Sequence, residues 1–414
     1  MIRCRASWLL PVTEPPIRDG WVAIDGGRIV SYGGADRPGE DVEDARDVDL
    51  GRVAILPGLV NAHTHLELSY LRGRVPRDAS FVSWVRAVMA ARRAHPDPDA
   101  PEILEGVANG IDEAIRCGTA VVGDISNSLV TFHQLRQSAL AAMVFYEMIG
   151  FNPEDPHAFV AGAREMIRGV NLNATASHRA SLAAHAPYSV APAVLRAIAE
   201  GIDQDGLPRC SVHLSESVEE VEFIRTGEGP WRRLLEDFGV WNSSWVVPGC
   251  SPVQYLDDQG FLGRRLIAVH GVQMTTADLA RLAAHQAMLV TCPRSNAFTG
   301  AGTPPIEQFY RSGVAVAVGT DSLASTPDLN LFSELAAMRA LAPAVPAAML
   351  IESATKAGAS ALGLDVDYGT IAAGKRSRLI AVAVPPGVVD VEEYLVSGID
   401  PGQIRWIEEN GPKT

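Results

Sequence analysis

Four histidines and one aspartate stand where their side chains can act together on a cation. The stretch Asn61-Ala62-His63-Thr64-His65-Leu66-Glu67 follows an apolar run. Strand side chains alternate between faces, so His63, His65 and Glu67 point the same way. Two neutral imidazoles at this spacing can share one divalent ion, with zinc and iron as the usual partners of such nitrogens. An HxH pair alone is a short pattern found also on strands that bind nothing. The remaining candidates give it weight. His213, with Glu216 three residues on, His270 and Asp321 each close an apolar run further along, and the chain has only 10 histidines in all.

These residues need a scaffold that brings separate strand ends to one place. Eight apolar runs of strand length are separated by stretches of helical periodicity: residues 59–65, 119–126, 141–149, 181–188, 210–216, 266–271, 287–293 and 314–321. That alternation is how a parallel α/β sheet is written. Eight repeats favour a closed (β/α)8 TIM barrel over an open doubly wound sheet, with the functional residues at the C-terminal strand ends. The segment TADLARLAAH is predicted to open a helix at Thr275 or Thr276, with Asp278 in its first turn. Both chain ends read differently. WVAIDGGRIVSYGG is patterned as a hairpin around Asp25-Gly26-Gly27, and YGTIAAGKRSRLIAVAV returns to strand-like alternation. The expected organisation is a small β-sandwich subdomain from residues 1–57 and 365–414 around a barrel spanning 58–364.

Composition excludes several classes. The formal net charge is −14 and no basic stripe occurs, so nucleic acid is not an expected partner. No apolar run approaches the length needed to span a bilayer, and the first residues lack a secretory pattern, so a cytoplasmic protein is expected. Five well-separated cysteines form no CxxC pair, which argues against a disulfide framework or a thiolate zinc site. Lysine is confined to Lys356, Lys375 and Lys413.

The motifs PGLVNAHTHLE, HAPYSV, VHLSES, VHG, VTCPRSN and VGTDS occur in this order along nearly the whole chain. In that combination the sequence resembles the amidohydrolase superfamily, in the branch of aminopurine, nucleoside and cytosine deaminases and triazine chlorohydrolases. The resemblance implies a mononuclear site in which His63, His65, His213 and Asp321 hold one divalent ion, zinc with iron(II) as the alternative. It implies that His270 contacts the reacting water or the substrate. A carbamylated strand-four lysine, used by some relatives to bridge two metals, has no counterpart before Lys356, and His185 stands there as a substrate contact. The implied catalytic set is Glu216, His270 and Asp321: Asp321 accepts the proton of a water whose ionisation the cation promotes, and Glu216 protonates the ring nitrogen beside the amine.

HLELSYLRG followed by FVSWVRAVM is most similar to the aminodeoxyfutalosine deaminases of menaquinone synthesis, then to methylthioadenosine/S-adenosylhomocysteine deaminases. The expected substrate is therefore an aminopurine nucleoside deaminated at C6 of adenine, with guanine deamination, triazine dechlorination and cyclic-amide hydrolysis as alternatives. A metal-free binding protein on the same fold is the non-enzymatic rival, and a homodimer is the assembly allowed for. Candidate substrate contacts are Glu67 for ribose hydroxyls, Trp84 for the purine, His185, and Arg72 or Arg294 for the benzoate carboxylate of aminodeoxyfutalosine. The long interval from His213 to His270, with Trp231, Trp241 and Trp245, is expected to supply a mobile cover over residues 217–265.

Overall fold

The computed structural model describes residues 1–35, 45–77 and 80–409. Five strands come first: β1 (Ile2–Leu9), β2 (Ile17–Asp25), β3 (Arg28–Gly33), β4 (Arg46–Asp49) and β5 (Val53–Pro57). The eight apolar runs form β6 (Leu59–Thr64), β7 (Thr119–Ser126), β8 (Ala141–Met148), β9 (His178–Ala184), β10 (Cys210–Leu214), β11 (Leu266–His270), β12 (Met288–Thr291) and β13 (Ala315–Val318). Two strands close the chain, β14 (Leu379–Ala383) and β15 (Ile404–Trp406).

β6 to β13 pair in sequence order, every ladder parallel, as an eight-stranded barrel. β6, β7, β10, β11 and β12 are buried at every position, as strands covered on both faces must be. The seam between β6 and β13 is closed by a few specific contacts. The Asp321 N–H donates to the His63 carbonyl at 3.0 Å, and Asn61 reaches Thr320 through both ends of its amide. Gly319 makes this approach possible, because a Cβ there would sit 2.6 Å from the His63 carbonyl oxygen.

The helices follow the periodic segments. Pro101–Arg116 starts with proline in its first turn and buries Ile103, Val107, Ile111 and Ala114, a stripe at helical spacing. Thr276–Ala284 opens with a capping box between Thr275 and Asp278. The two chain ends, expected to form a small β-sandwich subdomain, join in one seven-stranded mixed sheet, in the order β15-β14-β5-β1-β2-β3 with β4 on β1. Antiparallel pairing of β14 with β5 ties the C-terminal segment to the N-terminal one. Among the described residues, no helix is long and apolar enough to cross a membrane.

Candidate active site

His63 lies on β6, His213 on β10 and His270 on β11, while His65 and Asp321 follow directly on β6 and β13; all five converge at the C-terminal mouth of the barrel. Ring centroids of His63 lie 4.9 Å from His65, 5.0 Å from His213 and 5.6 Å from His270. One nitrogen from each of His63, His65 and His213 falls within a 4.8 Å cluster. Asp321 Oδ1 faces it, 3.4 Å from His65 Nε2 and 3.7 Å from His63 Nε2.

Both ring nitrogens of His63 are buried with no hydrogen-bond partner. A buried polar ring left this way is costly unless something else satisfies it. The Nδ1 of His213 lies 2.9 Å from the His185 carbonyl; the N–H it donates there leaves Nε2 as a lone-pair donor toward the cluster. Burial lowers the pKa of His65 to about 4, and burial together with the neighbouring rings holds His213 well below its usual range. Neutral imidazoles beside a carboxylate are the donor set a divalent cation requires. Burial alone would raise Asp321, but the facing rings of His63 and His65 outweigh it and hold its pKa well below the usual range. Its other oxygen, Oδ2, accepts from the Ser295 hydroxyl at 2.5 Å, and the Ser325 hydroxyl lies 2.8 Å behind Ser295.

Glu216 is buried beside this cluster, with Oε1 3.4 Å from His270 Nε2. Burial, then the neighbouring acidic groups Asp321 and Glu220, push its pKa well above the carboxylate range, which favours the protonated form. Burial lowers His270 to about 3, keeping it neutral. Its Nδ1 lies 2.9 Å from the Asn296 amide nitrogen; with that amide as donor, the ring proton sits on Nε2, facing the site. Three non-glycine residues here have left-handed backbone: Ser215 (φ 52°), His270 (φ 76°) and Asp321 (φ 60°). Such conformations are maintained only where surrounding contacts enforce them, and they gather at working sites.

The cluster forms the floor of a cavity of about 260 Å³. Its walls are largely apolar, with Phe81, Trp84, Phe151, Tyr188, Trp231 and Phe238 among them, and His185 and Glu147 nearer the floor. Of the expected substrate contacts, Trp84 and His185 line this cavity. Glu67 does not. Its carboxylate is taken up by Arg92, Ser126, Asn127 and Ser128, so it secures the loop after β7 and has little left for a ribose. Arg72 is also away from the cavity, paired with Glu113, and Arg294 is turned toward Asp328 and Glu334. The arginine that lines the cavity is Arg92, held by Asn127 at 2.5 Å and Glu67 at 3.2 Å.

From residues 217–265, the helix Pro230–Asp237 with Phe238 and Val240 lines the cavity, and the irregular stretch after it is packed. Trp231 stacks on Tyr188 at 3.7 Å, and Trp241 and Trp245 pack against Phe151 and Phe223. All three indoles are thus engaged, which counts against the expected mobile cover. Glu147, at the end of β8, had no motif to announce it. Its Oε1 lies 3.5 Å from His213 Nδ1, and Asn127 donates to its Oε2 at 2.9 Å.

The sequence profile of the amidohydrolase family matches residues 54–403. An aminodeoxyfutalosine deaminase of Deinococcus radiodurans is 31% identical over 355 residues, 83% of this chain and 81% of that protein. A 5-methylthioadenosine/S-adenosylhomocysteine deaminase of Moorella thermoacetica is 28% identical, covering 97% of this chain and 91% of its own. Among solved structures, aminofutalosine deaminase of Helicobacter pylori with methylthio-coformycin superposes with a TM-score of 0.82 at 25% identity, over 98% of this chain and all of that one. A zinc-bound adenosine deaminase of Xanthomonas campestris gives a TM-score of 0.81 at 26% identity, over 97% of this chain and 90% of its own. Family match, barrel and strand-end donor set agree: the chain belongs to the amidohydrolase family and is a hydrolase acting on carbon–nitrogen bonds.

Proposed function

We propose that this protein is a hydrolytic deaminase that releases ammonia from C6 of an adenine nucleoside bearing an apolar or aromatic 5′ substituent, aminodeoxyfutalosine being the first choice. The observation that carries the reading is Glu216, a buried carboxyl beside His270 that lines the foot of an apolar cavity together with Asp321. His63, His65, His213 and Asp321 are the residues that would hold the metal, zinc by analogy with the Xanthomonas relative. When bound, the ion acts as a Lewis acid that brings the ionisation of water toward neutral pH.

The chain's own groups then divide the work. Asp321, kept ionised and aligned by Ser295, takes a proton from the attacking water. The Nε2–H of His270 orients that water. Glu216 gives its proton to N1 of the purine, which makes C6 electrophilic as the hydroxyl adds. A proton reaches the amino group through the same two carboxyls, C6 becomes a carbonyl, and ammonia departs.

The walls favour some nucleosides over others. Six aromatic residues and one arginine suit a methylthio or benzoate-bearing 5′ group better than the zwitterionic amino acid of S-adenosylhomocysteine. Arg92 is the side chain within reach of a carboxylate at the cavity wall, and the Deinococcus relative makes aminodeoxyfutalosine, hence menaquinone synthesis, the pathway to test first. The deciding measurement is ammonia release from a panel of aminodeoxyfutalosine, methylthioadenosine, S-adenosylhomocysteine, adenosine, guanine and cytosine. Turnover of the first two well above the rest is expected; activity confined to guanine or cytosine overturns the reading.

A further inference from the structure

We propose that Glu220 is a positioning residue for the acid Glu216, fixing the turn that aims its carboxyl at the reacting centre. This rests on the deaminase reading above. The turn is demanding. The chain leaves β10 at Leu214, passes through left-handed Ser215 and must enter the helix Val218–Thr226, capped by Ser217, within a few residues. The N–H groups of Ser215 and Glu216 therefore point into protein where water does not reach, and a buried amide without an acceptor is rare because it is costly. One side chain answers both. Glu220 Oε1 accepts from Ser215 N–H at 2.9 Å, and Oε2 accepts from Glu216 N–H at 2.8 Å.

The Glu220 side chain is itself fully buried, and its own N–H is held by the Ser217 hydroxyl at 3.3 Å. On the opposite side of the turn, the loop after β11 supplies the donors: Gly271 N–H to the Leu214 carbonyl at 3.1 Å, and Gln273 N–H to the Ser215 carbonyl at 2.8 Å. The loop carrying Glu216 is thus gripped from both sides, by backbone from the loop after β11 and by one carboxyl group from the following helix. Glu220 is not among the residues that line the active-site cavity, which separates it from substrate contact.

The test is a double-mutant cycle with Glu220→Ala and Glu216→Gln, read on kcat, KM and bound metal. In the otherwise native enzyme, Glu220→Ala is expected to lower kcat at least about tenfold with KM and metal content little changed. In the Glu216→Gln background the same substitution should change kcat less than about twofold, because the group it positions is already disabled. Equal fold losses in both backgrounds, a parallel loss of metal, or no loss at all would overturn the proposal. If Glu220→Ala does not fold, Glu220→Gln, which keeps one acceptor oxygen, enters the same cycle with a smaller expected loss. A crystal structure of the variant gives an answer that needs no substrate. The Glu216 carboxyl should leave its position beside His270, and an unmoved turn refutes the assignment. An inactive wild-type enzyme on every adenine nucleoside would instead refute the deaminase reading while leaving that structural outcome readable.

Discussion

The floor and the walls of the cavity are built by opposite means. The floor consists of charged and polar groups at the ends of parallel strands, each held by backbone contacts, short hydrogen bonds or left-handed conformations: His63, His213, Glu216, His270 and Asp321. The walls come from helices and loops outside the sheet, Phe81–Arg93 and Pro230–Asp237 above all, and offer mainly aromatic surface. The difference teaches that chemistry and selectivity are separable here. Damage to the floor should remove turnover for every substrate, whereas damage to a wall should change which nucleoside is preferred.

The largest effects should come from the floor. Glu216→Gln is expected to reduce kcat by about 10²–10⁴ while metal content, measured by elemental analysis, stays at the wild-type level. Undiminished turnover would remove Glu216 from the mechanism. Asp321→Asn should cost a comparable factor and, unlike Glu216→Gln, weaken metal retention against a chelator; a variant that keeps both activity and metal contradicts the assignment of Asp321 as a ligand and proton acceptor. The walls should respond more mildly. Trp84→Ala is expected to raise KM for a nucleoside with an apolar 5′ group about tenfold, near the value of a lost aromatic contact, with kcat nearly constant. A fall in kcat at constant KM would place Trp84 with the floor. Arg92→Met should penalise a carboxylate-bearing 5′ group more than a methylthio group, by roughly tenfold; equal losses on both substrates would deny it a role in carboxylate recognition.

The smallest expected effect concerns stability. Besides Glu216, burial raises Asp124 to about 7 and Glu220 and Glu334 to about 8. Each is protonated in the fold at pH values where the unfolded chain has lost its proton, so its contribution is greatest in acid and disappears as pH rises through 7 to 8. Buried His65 and His270, neutral in the fold, act in the opposite sense, but only below their unfolded value near 6.5. From pH 6.5 to 9 the carboxyls are therefore left to dominate, and Tm should fall by a few degrees. A Tm that climbs across this interval would mean that these carboxyls are ionised in the native state.

The same division explains what could be read before folding. Strand residues alternate and close apolar runs, so His63, His65, His213, His270 and Asp321 stood out in linear order, and all eight runs became barrel strands. Wall residues depend on how a helix is rotated against its neighbours. Arg72 and Arg294 sit close in sequence to strand ends, yet Glu113 in one case, Asp328 and Glu334 in the other, draw them away, while Arg92 on a helix reaches the cavity. Strand alternation put Glu67 on the face of the two histidines, but β6 ends at Thr64, Glu67 lies in the 3-10 turn Leu66–Leu71, and Ser126, Asn127 and Ser128 of the loop after β7 occupy its carboxylate. Ser295 and Glu147 were invisible for a related reason: each matters through a partner distant in sequence, Asp321 and His213. The tryptophans of residues 217–265 suggested motion because the interval is long, and stacking on Tyr188, Phe151 and Phe223 fills it.

The seam between β6 and β13 joins the first and last strands of the barrel, and it is made by the neighbours of His63 and Asp321 together with the backbone of these two residues. A cation shared by their side chains would act as a rivet on that seam, so the free energy of metal capture would also be free energy of ring closure. Folding and loading would then be coupled at the clasp, where the protein's own closing contacts are the Asn61–Thr320 pair, the Asp321 N–H to His63 carbonyl bond, the Thr64 hydroxyl on the Asp321 carbonyl and the helix Lys356–Leu362 packed on both strands.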